Sequence, residues 1–215
     1  MKTPYGMWLI CQCVVGALAL TGCLGGQPSS DYFYRLNLAD PETRLESAPL
    51  GGTLQITRPW ADALTSERHL IYRKNDRTSQ LNHHAYHRWV DSPTLLIQQE
   101  ITQYLRKAGL AQHVVTPEMR TKADYALSCR IAKLERVLDQ SPRVVVELEL
   151  GITSMKERRT LLLRTYREEQ PTEDMDVSSS IKAYNHALST VLNRFLTDAS
   201  KLSLLKLTNT NMSFP

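Results

Sequence analysis

Tyr125-Ala-Leu-Ser-Cys-Arg-Ile131 and Val144-Val-Val-Glu-Leu-Glu-Leu-Gly-Ile152 are the two runs on which the reading of the fold turns. In the first, Tyr125, Leu127, Cys129 and Ile131 alternate with Ala126, Ser128 and Arg130. In the second, Val144, Val146, Leu148, Leu150 and Ile152 alternate with Val145, Glu147 and Glu149. A period of two sends successive side chains to opposite sides of a strand. Each run therefore has one buried and one wet face, the pattern of an antiparallel sheet covered on one side. Met155 to Arg159, a charged stretch, makes the hairpin tip, and Leu161 to Glu168 returns. Arg158 and Arg159 fit an anionic contact or a solvated turn, and the turn is the simpler reading.

Working outward, two helices flank this sheet. Downstream, Ile181, Tyr184, Leu188, Val191, Phe195 and Leu202 form one apolar stripe over residues 177–202. Upstream, Leu96, Ile97, Ile101, Tyr104, Leu105 and Ala108 recur at helical spacing. Asp91 or Ser92 caps that helix, Pro93 takes its first position, and Gly109 ends it. Before it lie strands at Tyr32–Leu36, Leu54–Thr57 and Leu70–Arg73, with a returning strand over residues 79–86. Residues 39–52, with two prolines and Gly51-Gly52, read as loop, and Pro59 to Asp62 and Asn75-Asp76 as turns. Two helices and about seven strands predict a single α+β domain over residues 31–202, its sheet largely antiparallel or mixed, with both main helices on one face.

The N-terminus is of a different kind. Lys2 is the only charge before Asp31, and Met7 to Leu20 is almost wholly apolar. That is the make-up of an export signal, and it is shorter than the roughly 20 apolar residues of a membrane span. Leu20-Thr21-Gly22-Cys23 resembles the bacterial lipobox, which implies a signal peptide over residues 1–22 and acylation of Cys23. Leu24 follows, not Asp, which implies the outer membrane. Removal of 22 of the 215 residues leaves 193, enough for one core, and lowers the formal charge from +4 to +3. This mild excess gives no sign of nucleic-acid binding. Cys11 and Cys13 leave with the signal, so Cys129 has no disulfide partner and reads as a small buried apolar residue. Residues 23–30 have linker composition and form a lipidated tether. Residues 203–215 form a tail to which no structure is assigned.

Chemistry is sparse. The chain has no Gly-x-Ser-x-Gly elbow and no phosphate-binding glycine loop. His83-His84-Ala85-Tyr86-His87 is the one dense cluster, and it lacks the glutamate of a zinc-protease motif. On a strand, His83 and His87 stand about 13 Å apart at about 3.3 Å per residue, too far for one metal. Neither a catalytic residue, a metal site nor a cofactor is expected. Glu147 and Glu149 share a strand face that alternation places in water.

The order of several weak markers resembles the ABC-type transport auxiliary lipoproteins, the PqiC-like group. These are Tyr32-Phe-Tyr-Arg-Leu36, the strand into Arg58-Pro59, Leu70-Ile-Tyr-Arg73, Arg88-Trp89 before the first helix, Asp124-Tyr-Ala-Leu127 and the last helix. The match runs from Tyr32 to about Ser200. It departs at Val90-Asp91, where family members often carry Ala-Glu. The resemblance implies a non-enzymatic, outer-membrane-anchored domain facing the periplasm. It would dock the periplasmic protein of a mammalian-cell-entry-type system that moves lipid between the two membranes and supports envelope integrity. Of the motif residues Tyr34, Arg88 and Trp89, all read as structural, Trp89 is a core plug and Arg88 pairs with a nearby carboxylate or carbonyl. Whether the domain forms a homo-oligomer stays open. The alternative is a structural or assembly lipoprotein for another outer-membrane component.

Overall fold

A computed structural model describes residues 30–75 and 79–202. The expected signal peptide, Cys23, all of the tether but Ser30, and the tail lie outside the described residues, as does Asp76 of one expected turn. The strands are β1 (Tyr32–Tyr34), β2 (Leu50–Ile56), β3 (His69–Arg73), β4 (Asn82–Trp89), β5 (Ala111–Val115), β6 (Tyr125–Val137), β7 (Arg143–Ser154) and β8 (Arg159–Pro171). The helices are the short α1 (Ala63–Ser66), α2 (Pro93–Ala108) and α3 (Val177–Ser200).

The two runs quoted first are β6 and β7, antiparallel from Tyr125↔Ser154 to Val137↔Arg143. β8 continues the meander on the far edge of β7. The other edge of β6 is shared: β2 pairs in parallel with Tyr125–Leu127, and β3 in parallel with Glu135–Val137. Trp60 bridges to Arg130 between them. β5 lies parallel to β2, β4 antiparallel to β3, and β1 parallel to β4. The eight strands form one mixed sheet in an α+β domain.

One sheet face carries the core. Leu127, Cys129, Ile131, Val146, Leu148 and Leu150 are buried with Leu188, Val191, Leu192 and Phe195 of α3 and Ile97, Ile101 and Leu105 of α2. Asp176 caps α3 by accepting from the Ser178 N–H at 3.0 Å. α2 begins at Ser92 and Pro93 as expected, though the Ser92 hydroxyl accepts from Arg58 (2.9 Å) rather than capping the helix. Gly109 ends it at φ +73°, the left-handed region that suits glycine.

Three expectations need correction. Leu50-Gly51-Gly52 belongs to β2, not to a loop. Gly52 has φ +113°, the register shifts between Leu50 and Thr53, and a Cβ there would stand 2.3 Å from Asp124 Oδ2. The glycine pair therefore marks a bulge, across which the Asp124 carboxylate accepts from the Thr53 N–H at 2.8 Å. Val145, on the nominally wet face, is buried. β5 was not foreseen, because its Gln112-His113 pair, both exposed, breaks the alternation. The Pro59–Asp62 turn leads into α1, whose Thr65 N–H donates to Asp62.

Candidate functional site

The motif residues Tyr34, Arg88 and Trp89 gather where β1 pairs with β4, with Tyr34 directly opposite Trp89 and Phe33 opposite Arg88. Trp89 is a core plug: it is buried and meets the Tyr184 ring edge-on at 5.5 Å. Arg88 Nε stands 3.4 Å from Asp31 Oδ2, the expected carboxylate pairing. Tyr34 hydrogen-bonds through its hydroxyl to His87 Nδ1 at 2.8 Å. Burial is the main reason its phenol pKa is raised.

The histidines do not converge on one point. His83 packs against His69 at 4.7 Å between ring centroids. His84 lies against Tyr72 and edge-on to His87. His87 stacks between Tyr32 (5.1 Å) and Tyr34 (5.7 Å). Among the described residues, no three His, Cys, Asp or Glu side chains are grouped to hold a metal ion.

Beneath this edge lies a residue that sequence reasoning missed. Arg136, only 1 % exposed, donates from Nε to Ser180 Oγ (2.8 Å) and from Nη2 to the Met175 and Asp176 carbonyls (2.6 and 3.2 Å). Its Nη1 lies 2.8 Å from His84 Nε2. An arginine can only donate, so His84 accepts there and is neutral. Burial first, then the Arg136 charge, lower the His84 pKa to about 4. Four elements or connections thus meet on one guanidinium: β6, β4, the turn before α3, and α3. The available signal was an arginine at a core-facing position late in β6, but the bulge between Ile131 and Lys133 hides that phase.

The other sheet face is open and polar. Lys133, Glu147 and Arg167 form one cross-strand row, with Arg167 on Glu147 at 2.9 Å. Arg130, Glu149 and Thr165 form the next, and the Arg130 guanidinium covers the Trp60 ring at 4.9 Å. Glu147 and Glu149 are partly buried side chains in these rows, not freely solvated ones. Leu163, 63 % exposed, leans over Gly151 beside Ser128. Arg158 and Arg159 stand in the exposed tip, where Arg159 pairs with Glu157. Cys129 is buried, which raises its thiol pKa well above the ordinary value. On the helical side, α3 and residues 37–42 border a groove of about 500 Å³, lined mainly by polar side chains such as Asn185, Asn193 and Lys182.

The model of the ABC-type transport auxiliary lipoprotein component matches residues 34–195. The chain belongs to this family. The matched span starts at Tyr34, the last residue of β1, and ends within α3, so it takes in β2 to β8, all of α2 and most of α3. Protein XCC0632 from Xanthomonas campestris is a structural neighbour of this auxiliary lipoprotein, with TM-score 0.71 and 14 % identity over 82 % of this chain and 99 % of that one. A second crystal structure, of an uncharacterized protein, has TM-score 0.62 and 10 % identity over 79 % of this chain and 99 % of the other. At such identities the likeness is one of fold. No curated protein matches the chain. No described helix of this auxiliary lipoprotein is long and apolar enough to cross a membrane.

Proposed function

We propose that this auxiliary lipoprotein is the non-enzymatic outer-membrane subunit of a mammalian-cell-entry-type transport system. Cys23 carries the acyl anchor, and the domain faces the periplasm, where it docks the periplasmic component that passes lipid between the membranes. The observation that carries this reading is the family match over residues 34–195, which begins 11 residues after a cysteine in lipobox context. A tether that short keeps the domain at the membrane, where an intermembrane carrier must be met.

The test has two parts. Radiolabelled palmitate should label the wild type and not Cys23→Ala. The mature lipoprotein in detergent should co-elute with a mammalian-cell-entry-type protein of the same organism. Equal labelling of Cys23→Ala removes the anchor, and separate elution of the two proteins refutes the docking role.

A further inference from the structure

The exposed aromatic side chains of the described residues are unevenly placed with respect to the tether. Tyr32 and Phe33 on β1 are each 55 % exposed, and Tyr86 on the neighbouring β4 is 48 % exposed. Tyr32 and Phe33 are the first residues of the sheet, and the fourth exposed ring, Trp60, lies elsewhere, under Arg130. A chain of nine residues, from Cys23 to Tyr32, spans at most about 30 Å. A folded domain of this size is about 40 Å across. An acyl anchor on Cys23 therefore holds β1 near the leaflet and leaves other edges free to stand well away from it.

The chemistry of this edge matches a phospholipid surface. Tyr32 is held by its stack on His87, so it presents a fixed ring with a polar tip. Such amphipathic rings favour the boundary between headgroups and acyl chains. The Arg68 guanidinium lies over the Phe33 ring at 5.5 Å and donates from Nε to the Trp89 carbonyl. Arg35 is exposed one residue beyond Tyr34. Asp31 is paired with Arg88, and Glu67 lies near His69. Arg35 and Arg68 thus bring cations beside three exposed rings, while Arg88 is held by Asp31 and the buried Arg136 faces Asp176 close to Tyr34. Cations next to apolar groups at a bilayer surface meet lipid phosphates while the apolar groups enter the boundary.

We infer that the β1–β4 edge, through Tyr32, Phe33 and Tyr86 with Arg35 and Arg68, rests on the phospholipid leaflet and sets the orientation of the tethered domain. This rests on acylation of Cys23, as proposed above. The open sheet face and the α3 groove then remain clear of the membrane, available to the periplasmic partner.

The experiment uses the mature, acylated lipoprotein in vesicles of phosphatidylethanolamine and phosphatidylglycerol. With Cys23 acylated and Cys129 buried, one introduced cysteine takes an environment-sensitive fluorophore. At Phe33→Cys, and independently at Tyr86→Cys, emission should shift to the blue and be quenched by doxyl lipids of shallow depth, roughly 5 Å below the headgroups. At Met155→Cys, on the distant hairpin tip, neither effect should occur. An unshifted label on Phe33→Cys and Tyr86→Cys in protein that floats with the vesicles overturns the contact and leaves the anchor standing. A shift that grows with protein density at fixed lipid also overturns it, because a second copy then covers the edge. Protein that fails to float removes the anchor, and the contact with it.

Discussion

Replacing Arg136 by methionine should cost the domain about 3 kcal/mol, because the guanidinium gathers acceptors from three separate parts of the chain. Hydrogen bonds from a charged donor contribute roughly 1.5–3 kcal/mol each, and removing one member of a buried charged network costs roughly 3–5 kcal/mol. The lower end applies here for two reasons. Ser180 Oγ keeps its bond to the Asp176 carbonyl at 3.0 Å. Met175 is itself exposed, so water can reach its carbonyl once the cation has gone. Methionine refills most of the volume, so little cavity remains. At about 2–4 °C per kcal/mol for a domain of this length, the midpoint of thermal unfolding should fall by roughly 6–12 °C. Urea unfolding of the mature protein should show a lower midpoint with an unchanged slope. Arg136→Lys keeps the charge but loses the fork, and should fall between the two.

A second readout separates this network from a generic core effect. Burial is the larger reason that the His84 pKa lies at about 4, and the Arg136 charge is the next. With the cation removed and His84 Nε2 freed, that value should rise part of the way back, since burial remains, as read from imidazole shifts in an NMR titration. A stability loss under 1 kcal/mol in Arg136→Met, or a His84 pKa that does not rise at all, would refute the assignment of Arg136 as the tie between β6, β4 and the start of α3.

Further outcomes follow from the same contacts. His84 is neutral when folded down to about pH 4 but takes up a proton near pH 6.5 when unfolded, so stability should fall as pH drops from 6.5 to 4 and this contribution should then level off. At 1.36 kcal/mol per pH unit the full shift is worth about 3 kcal/mol. Solvent screening of the partly exposed ring reduces the expected loss to about 1–1.5 kcal/mol, measurable by urea unfolding across that window and absent in His84→Phe. Gly52→Ala should cost about 1–3 kcal/mol, since φ is +113° and the new Cβ meets the Asp124 carboxylate; a change under 0.5 kcal/mol in chemical denaturation would contradict this. Trp89→Ala should cost roughly 3–5 kcal/mol by leaving Tyr184 facing a cavity, whereas Trp60→Ala, at an exposed ring, should cost far less.

Period-two alternation located β6 and β7 because each of these strands lies between two others and has one face under α3. The helices were equally legible, since Pro93 and Gly109 mark the ends of α2 by stereochemistry that needs no tertiary partner. β2 was half seen because Gly51-Gly52 is a loop signal in any local reading. Only the Asp124 carboxylate, 71 residues from Thr53 along the chain, shows why a strand needs glycine there. Tyr34, Arg88 and Trp89 stood out as motif residues, and the fold places all three on one strand pair. Arg136 did not, because a lone arginine in an alternating strand normally points to water, and the Ile131–Lys133 bulge moves it to the core face.

The parallel pairings were the least legible feature, and they have the most bearing on function. A hairpin shows itself by a short turn, as at Met155–Arg159, but nothing local states that β2 and β3 will share one edge of β6. Sharing becomes feasible because β6 is 13 residues long and each partner uses only three of them, leaving Arg130 in the gap for Trp60. That arrangement sends β3, and with it β4 and β1, to the Val137 end of the long strand, while β2 and β5 occupy the Tyr125 end. The aromatic edge beside the tether is thereby kept apart from the pairing of β2 with α2's strand neighbour β5. The open rows of β6, β7 and β8 lie on the face opposite the helices. The membrane contact and the partner docking proposed above call for that separation, and in this domain a long central strand provides it.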